Sequence, residues 1–274
     1  MIEFRWRKVD KNNNNTPIIK DSEIEELAEM LLRDYKPQLL QEPRKIKYEH
    51  FLESYLGANL DYQHIYYKED EGRILGATAF NREKLPIFDR ENMCLDEIIL
   101  NKNSIVLDLY VTEEGREGLE LFTGLHEGGH LWMHPGVFIE CEMQASLFGN
   151  DGELRPVICC RKADIESFGK SGDNRAKDKW REHQANYFAS AIAMPGATFI
   201  PLVQEVLKSR GITDGRIIED AGYDEYFLAK EVLPDILVDT YGVSRTAAYV
   251  KLRKFGFVVD QETVNKERKE IRLF

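Results

Sequence analysis

FTGLHEGGHLWMHPG, residues 122–136, decides how the rest of the chain is read. It holds His126-Glu127-Gly128-Gly129-His130 within a run of helical character. On an α-helix, positions i and i+4 lie roughly 40° apart in azimuth and about 6 Å apart along the axis. His126 and His130 therefore share a face, and two imidazoles so placed can reach one metal ion at about 2.0–2.1 Å. Glu127 stands beside that face. A carboxylate there is placed to hold a metal's water and not the metal itself, which is the position a general base needs. With six histidines in 274 residues, a shuffled chain would show the pattern on the order of once in a hundred trials. The reading is a metallopeptidase.

The flanks set the limits of this helix. Residues 104–111, SIVLDLYV, are apolar and β-branched enough for a strand, and Glu113 and Glu114 after them suit a helix N-terminus. Pro135-Gly136 ends the helix. Between these limits lie Gly115, Gly118, Gly124, Gly128 and Gly129, each costing roughly 1 kcal/mol against alanine in a helix interior. Gly124 and Gly128 share a face, which predicts a close approach there by a neighbouring backbone or a substrate. His134 continues the row at i+8 but lies about 12 Å along the axis from His126, too far to share its metal. It reads as a helix-end histidine near the last carbonyls.

Catalytic zinc normally takes three protein ligands. The third is sought in residues 180–195, WREHQANYFASAIAMP, where Trp180, Tyr187, Phe188, Ala191 and Ile192 make an apolar helical face and Pro195-Gly196 stops it. Glu182 and Asn186 are i and i+4. One can bind the metal while the other, a turn away, orients a metal-bound histidine through its free ring N–H. His183 competes with Glu182 as the third ligand.

These two segments resemble the ImmA/IrrE-type metallopeptidases, which pair a HExxH helix with a later E-x-x-A-N-x-F-A helix and a Met-Pro stop. Here they read His126 to His130, then Glu182-His183-Gln184-Ala185-Asn186-Tyr187-Phe188-Ala189, then Met194-Pro195. The resemblance covers most of residues 24–257, more loosely outside the two helices. It implies a zincin-like core, His126, His130 and Glu182 as zinc ligands and Glu127 as catalytic acid/base. It also implies a helix-turn-helix repressor protein as substrate, cut to release transcription. Gly128 departs from the larger residue usual in such helices. Met133 and Gly136 stand where HExxHxxGxxH would need glycine and histidine, which argues against a metzincin. Two histidines and a carboxylate suit manganese as well as zinc.

The rest of the chain frames this site. Its 43 % hydrophobic residues can bury a sizeable core, and no apolar run approaches a membrane span. The start is too charged for a signal peptide, so the expected location is cytoplasmic. Cys94, Cys141, Cys159 and Cys160 lack C-x-x-C spacing and read as reduced thiols, with a second metal site on Cys141 and the Cys159-Cys160 pair as the minor alternative. Residues 1–20 form an extension with an Asn-rich link, KNNNNTP at 11–17. Asp21-Ser22 with Glu25 then makes a capping-box-like start to a helix ending near Pro37, and a second short helix spans 47–56.

From residue 63 to 111, β-prone runs at 63–67, 74–80, 95–100 and 104–111 predict a small antiparallel sheet packed on the metal helix. A peptide could add to its exposed edge. Residues 137–179 are polar and irregular, with Gly149 to Gly152 and Lys170 to Asn174 as loops and one further strand at 156–160. The fold expected is α+β, with a metallopeptidase domain over 21–210 and a helical region over 211–274.

That last region includes residues 236–258, ILVDTYGVSRTAAYVKLRKFGFV, which read as helix, Gly242 turn, Ser244 N-cap and second helix, the helix-turn-helix arrangement. Arg245, Lys251, Arg253 and Lys254 are its argument for DNA. Against DNA stand the net charge of −11 and the nearby Glu231, Asp235 and Asp239. Two rivals to a peptidase follow: a transcription regulator with a structural zinc site, and a protein that sequesters a repressor without cutting it.

Overall fold

In the computed structural model, which describes residues 5–13, 15–138, 157–166 and 177–271, the chain opens on two short antiparallel strands. These are β1 (Val9–Asp10) and β2 (Thr16–Pro17). Helix α1 (Asp21–Tyr35) follows, its start closed by Glu23, whose carboxylate accepts from the Lys20 N–H at 2.8 Å. Glu23 thus does what the sequence assigned to Glu25, which turns inward instead. Helix α2 (Tyr48–His50) runs directly into a π turn, Phe51–Tyr55.

The central sheet has four strands in the order β3 (Asn59–Gln63), β7 (Ser104–Asp108), β4 (Ile74–Ala79) and β8 (Val157–Arg161). It is mixed, not antiparallel throughout, because β3 runs parallel to β7 while β4 is antiparallel to both β7 and β8. The run expected at 63–67 is displaced: β3 lies before it. Residues 64–66 instead exchange hydrogen bonds with β5 (Glu83–Asp89), Tyr66 N–H to the Pro86 carbonyl and Phe88 N–H to that of His64. Apart from that bridge, strand β5 pairs with β6 (Cys94–Leu100) in a ribbon separate from the central sheet. Pro86 reads as a separator in sequence, yet a two-stranded ribbon tolerates a residue without an N–H.

Helix α3 (Glu117–Met133) crosses beneath the sheet, and every residue from Leu121 to Met133 is buried. Its glycines allow this. A Cβ on Gly124 would lie 2.6 Å from the Tyr48 ring, and one on Gly128 would lie 2.5 Å from a Leu52 methyl. Gly129 faces the Ala185 backbone at 3.3 Å. The close approach predicted for Gly124 and Gly128 is therefore made by side chains of α2 and its π turn.

After β8 come α4 (Lys162–Glu166), α5 (Lys177–Ala193) and α6 (Gly196–Ser209). Then α7 (Tyr223–Phe227), a π turn (Leu228–Val232) and α8 (Leu233–Tyr241) form one helical run. Gly242 at φ +69° makes the turn, a conformation suited to glycine. Ser244 caps α9 (Arg245–Lys254), its hydroxyl accepting from the Ala247 N–H at 3.2 Å. Strand β10 (Val258–Val259) pairs in parallel with β9 (Ile217–Ile218), and α10 (Gln261–Ile271) ends the described chain.

One apolar cluster takes buried residues from Ile19 to Val258, so α8 and α9 rest on the same core as α3. A Cβ on Gly118 of α3 would meet the Ser244 nitrogen at 2.5 Å. Every cation of α9 is engaged by an acid: Lys251, 1 % exposed, with Glu25 at 2.8 Å; Arg253 with Glu219 and Asp260; Arg245 with Glu231 and Asp235; Lys254 with Asp21. Among the described residues, no single helix is long and apolar enough to cross a membrane. Cys141 and the loops at 149–152 and 170–174 lie outside the described residues.

Candidate metal centre

Helix α3 brings its i, i+4 histidines to one point, and α5 crosses it so that Glu182 meets them. His126 Nε2 and His130 Nε2 are 2.9 Å apart. Glu182 Oε2 is 3.1 Å from the first and Glu182 Oε1 is 3.3 Å from the second. Ligand atoms bonded tetrahedrally to zinc at 2.0–2.1 Å would be about 3.3 Å apart, so the three groups fit an ion with shifts of a few tenths of an ångström. The imidazoles are fully buried, and Glu182 Oε2 has no hydrogen-bond partner among the described residues.

The outer nitrogens of both rings are engaged. His126 Nδ1 is 3.0 Å from Asn186 Oδ1, and the Asn186 amide donates to the Asp164 carbonyl at 3.0 Å. A backbone carbonyl only accepts, so the amide nitrogen must face it and Oδ1 must face the ring. His126 then carries its proton on Nδ1, and its Nε2 lone pair turns to the centre. His130 Nδ1 is 3.0 Å from His134 Nδ1, and His134 Nε2 is 2.9 Å from Gln184 Oε1. His134 is fully buried and does not turn to the last carbonyls of the helix as its position suggested.

Burial alone would raise the Glu182 carboxyl, but the two facing imidazoles hold it far below the ordinary carboxylate range. Burial likewise depresses His130 and, more strongly, His134. His126 is carried upward against its burial by Glu182.

Glu127 stands outside the three. Its Oε2 accepts from the Thr78 hydroxyl of β4 at 2.5 Å, while its buried Oε1 has no hydrogen-bond partner among the described residues. Burial pushes its carboxyl up to about 8. Gly76, two residues before Thr78 on the same strand face, makes room for it. Cys160 pairs with Gly76 across β4 and β8 and so shares that face. Its sulfur lies within 4.8 Å of a ligand atom of each of His126 and Glu127, and burial keeps the thiol well above its usual range.

The structure thus brings together His126, Glu127, His130, Glu182 and Asn186. His183 is not among them: its Nε2 bonds Asp21 at 2.8 Å and its ring stacks on Trp180. Tyr187 lies beside His183 with Lys254 over its ring. Gly76, Thr78 and Gln184 were missed by sequence reasoning, which gave His134 a helix-end role and named Cys160 only in an alternative second metal site. The only signal was the period-2 spacing of Gly76 and Thr78. A cavity of 260 Å³ opens along α3, lined by Leu119 and Phe122, by Tyr110 and Ile165, and by Ala247 and Val250 of α9.

Fold and site define an α+β protein with a buried His, His, Glu centre able to hold a metal ion. No family model, curated protein or solved structure matches the chain.

Proposed function

We propose that the chain is a zinc-dependent endopeptidase with a zincin-like core, acting on a protein partner in the cytoplasm. The observation that carries this reading is the convergence of His126 Nε2, His130 Nε2 and Glu182, with Glu127 adjacent but outside the ligand set and one of its oxygens unpaired. His126, His130 and Glu182 would hold zinc, or manganese, which would supply Lewis acidity to a water and to the scissile carbonyl. Glu127 takes the proton of the attacking water and returns it to the leaving amine. Thr78 holds the other carboxylate oxygen, so Oε1 is the atom that moves the proton. Asn186 fixes the His126 ring.

The substrate we propose is a helix-turn-helix repressor, on the ImmA/IrrE-type motifs of residues 126–130 and 182–189. The α8–turn–α9 unit is itself helix-turn-helix-like. Ion pairing of all its cations supports a packing role over DNA contact. One observation favours a second reading, a sequestering protein with a structural metal: His126, Glu127 and His130 are wholly buried beneath β4 and β8.

Co-expression of the wild type or Glu127→Gln with the repressor encoded beside it separates the two. A peptidase yields a repressor fragment by mass spectrometry with the wild type, and at least roughly 10²-fold less with Glu127→Gln at unchanged metal content. Derepression by both proteins without any fragment establishes sequestration.

A further inference from the structure

We infer that His134 and Gln184 are positioning residues of the metal centre, and that through them the N-terminal strand pair sets the ring of His130. The inference rests on the reading of His126, His130 and Glu182 as metal ligands.

With both imidazoles neutral, the chain of hydrogen bonds has one consistent assignment. Gln184 Nε2 is 2.7 Å from the Pro17 carbonyl of β2. A carbonyl only accepts, so the amide nitrogen must face it and Gln184 Oε1 must face His134 Nε2, 2.9 Å away. That oxygen also only accepts, so His134 carries a proton on Nε2. As a neutral imidazole it then has a bare Nδ1, which accepts the Nδ1 proton of His130 across 3.0 Å. His130 is left with a bare Nε2, the atom that faces His126 and Glu182. In the opposite His130 tautomer, an N–H would point at the place of the ion and the metal could not bind there.

Asn186, anchored on the Asp164 carbonyl, does the same for His126 directly. The two ligands are thus set by one device, a carboxamide whose orientation a backbone carbonyl fixes. For His130 the device is one imidazole longer. Its anchor is itself held: β2 pairs with β1, and Arg181 of α5 donates to Asn13 Oδ1 at 3.1 Å and Thr16 Oγ1 at 3.2 Å. The N-terminal segment, remote in sequence from the site, is structurally part of it.

Wild type, Gln184→Leu, His134→Leu and His134→Gln test this in the full chain. Long-range nitrogen–proton NMR reads the His130 tautomer in metal-free protein, and chelator competition reads zinc affinity. The wild type should show a single Nδ1–H tautomer at His130. The leucine variants should show a mixture and bind zinc about 10–100-fold more weakly. His134→Gln, which offers an oxygen acceptor and an N–H donor at a similar separation, should recover most of the affinity.

If wild type binds no zinc, the metal reading fails, and the tautomer still judges the relay. If folded leucine variants keep the wild-type tautomer and zinc affinity, the inference is overturned. Should the leucine variants fail to fold, an Nε2–H tautomer at His130 in the wild type overturns it, and an Nδ1–H tautomer together with zinc recovery in His134→Gln supports it.

Discussion

Gly76 of β4 and Glu127 of α3 are in direct contact: a Cβ on Gly76 would lie 2.6 Å from Glu127 Oε1 and 2.9 Å from its Cγ. The glycine is the space that the carboxylate occupies. Gly76→Ala should therefore displace Glu127 while leaving the three proposed ligands in place. Metal content is expected to stay near one per chain, stability to fall by about 1–3 kcal/mol from overpacking, and peptide cleavage to fall at least roughly tenfold. Cleavage at the wild-type rate would show that the carboxylate's position is unimportant.

The third ligand is tested by neighbours in sequence. Elemental analysis of the purified protein should give about one zinc per chain. Glu182→Ala should lose most of it and His183→Ala should keep it, since His183 is bonded to Asp21 on the other side of α5. The reverse result would remove Glu182 from the centre.

Gly124 is fixed by the Tyr48 ring. A leucine there meets that ring as well as Leu52, so Gly124→Leu should destabilise by about 3 kcal/mol or more, at the upper end of overpacking effects. Urea denaturation would measure it, and an unchanged midpoint would mean that α2 swings away freely.

Lys251 and Glu25 form a buried pair joining α9 to α1. Removing one partner strands the other's charge, so Glu25→Leu alone should cost about 3–5 kcal/mol, while Glu25→Leu with Lys251→Met should recover most of that loss. A double-mutant cycle with no coupling would show that the pair contributes nothing.

Asp260 gives the acid limb. The Thr263 N–H at 2.7 Å leads the groups that hold its carboxyl down to about 2, with Arg253 also contributing. A carboxyl with a depressed folded pKa stabilises the fold above its unfolded value of about 3.9, and that contribution is lost as pH falls through about 2. Stability of Asp260→Asn should therefore depend less steeply on pH between about 4 and 2 than that of wild type. Identical slopes would remove Asp260 from the acid transition.

His126, His130, Glu182 and Asn186 were legible because helical spacing converts directly into direction in space. The choice of Glu182 over His183 rests on the resemblance carried by residues 182–189, because spacing alone leaves both open. Gly76, Thr78 and Cys160 were not legible, since their relation to Glu127 depends on which strands pair and in what register, and no local pattern carries that. His134 was misread for a similar reason. Its partner Gln184 lies 50 positions away, and the Pro17 carbonyl that orients Gln184 lies 117 positions before His134. The β3 boundary and the Pro86 strand failed because a separate ribbon, β5–β6, takes up residues 64–66.

Helix α3 carries four glycines and has no water-facing side from Leu121 onward. Such a segment has little helical tendency alone, and the groups that hold it come from α2, the sheet and α5. In folding time, the ligand-bearing turns should therefore consolidate after those elements meet, so that an ion enters a finished cage and not a nascent one. Pulse-labelling hydrogen exchange would show the amides of 121–133 gaining protection last. Substitutions there should speed unfolding more than they slow folding.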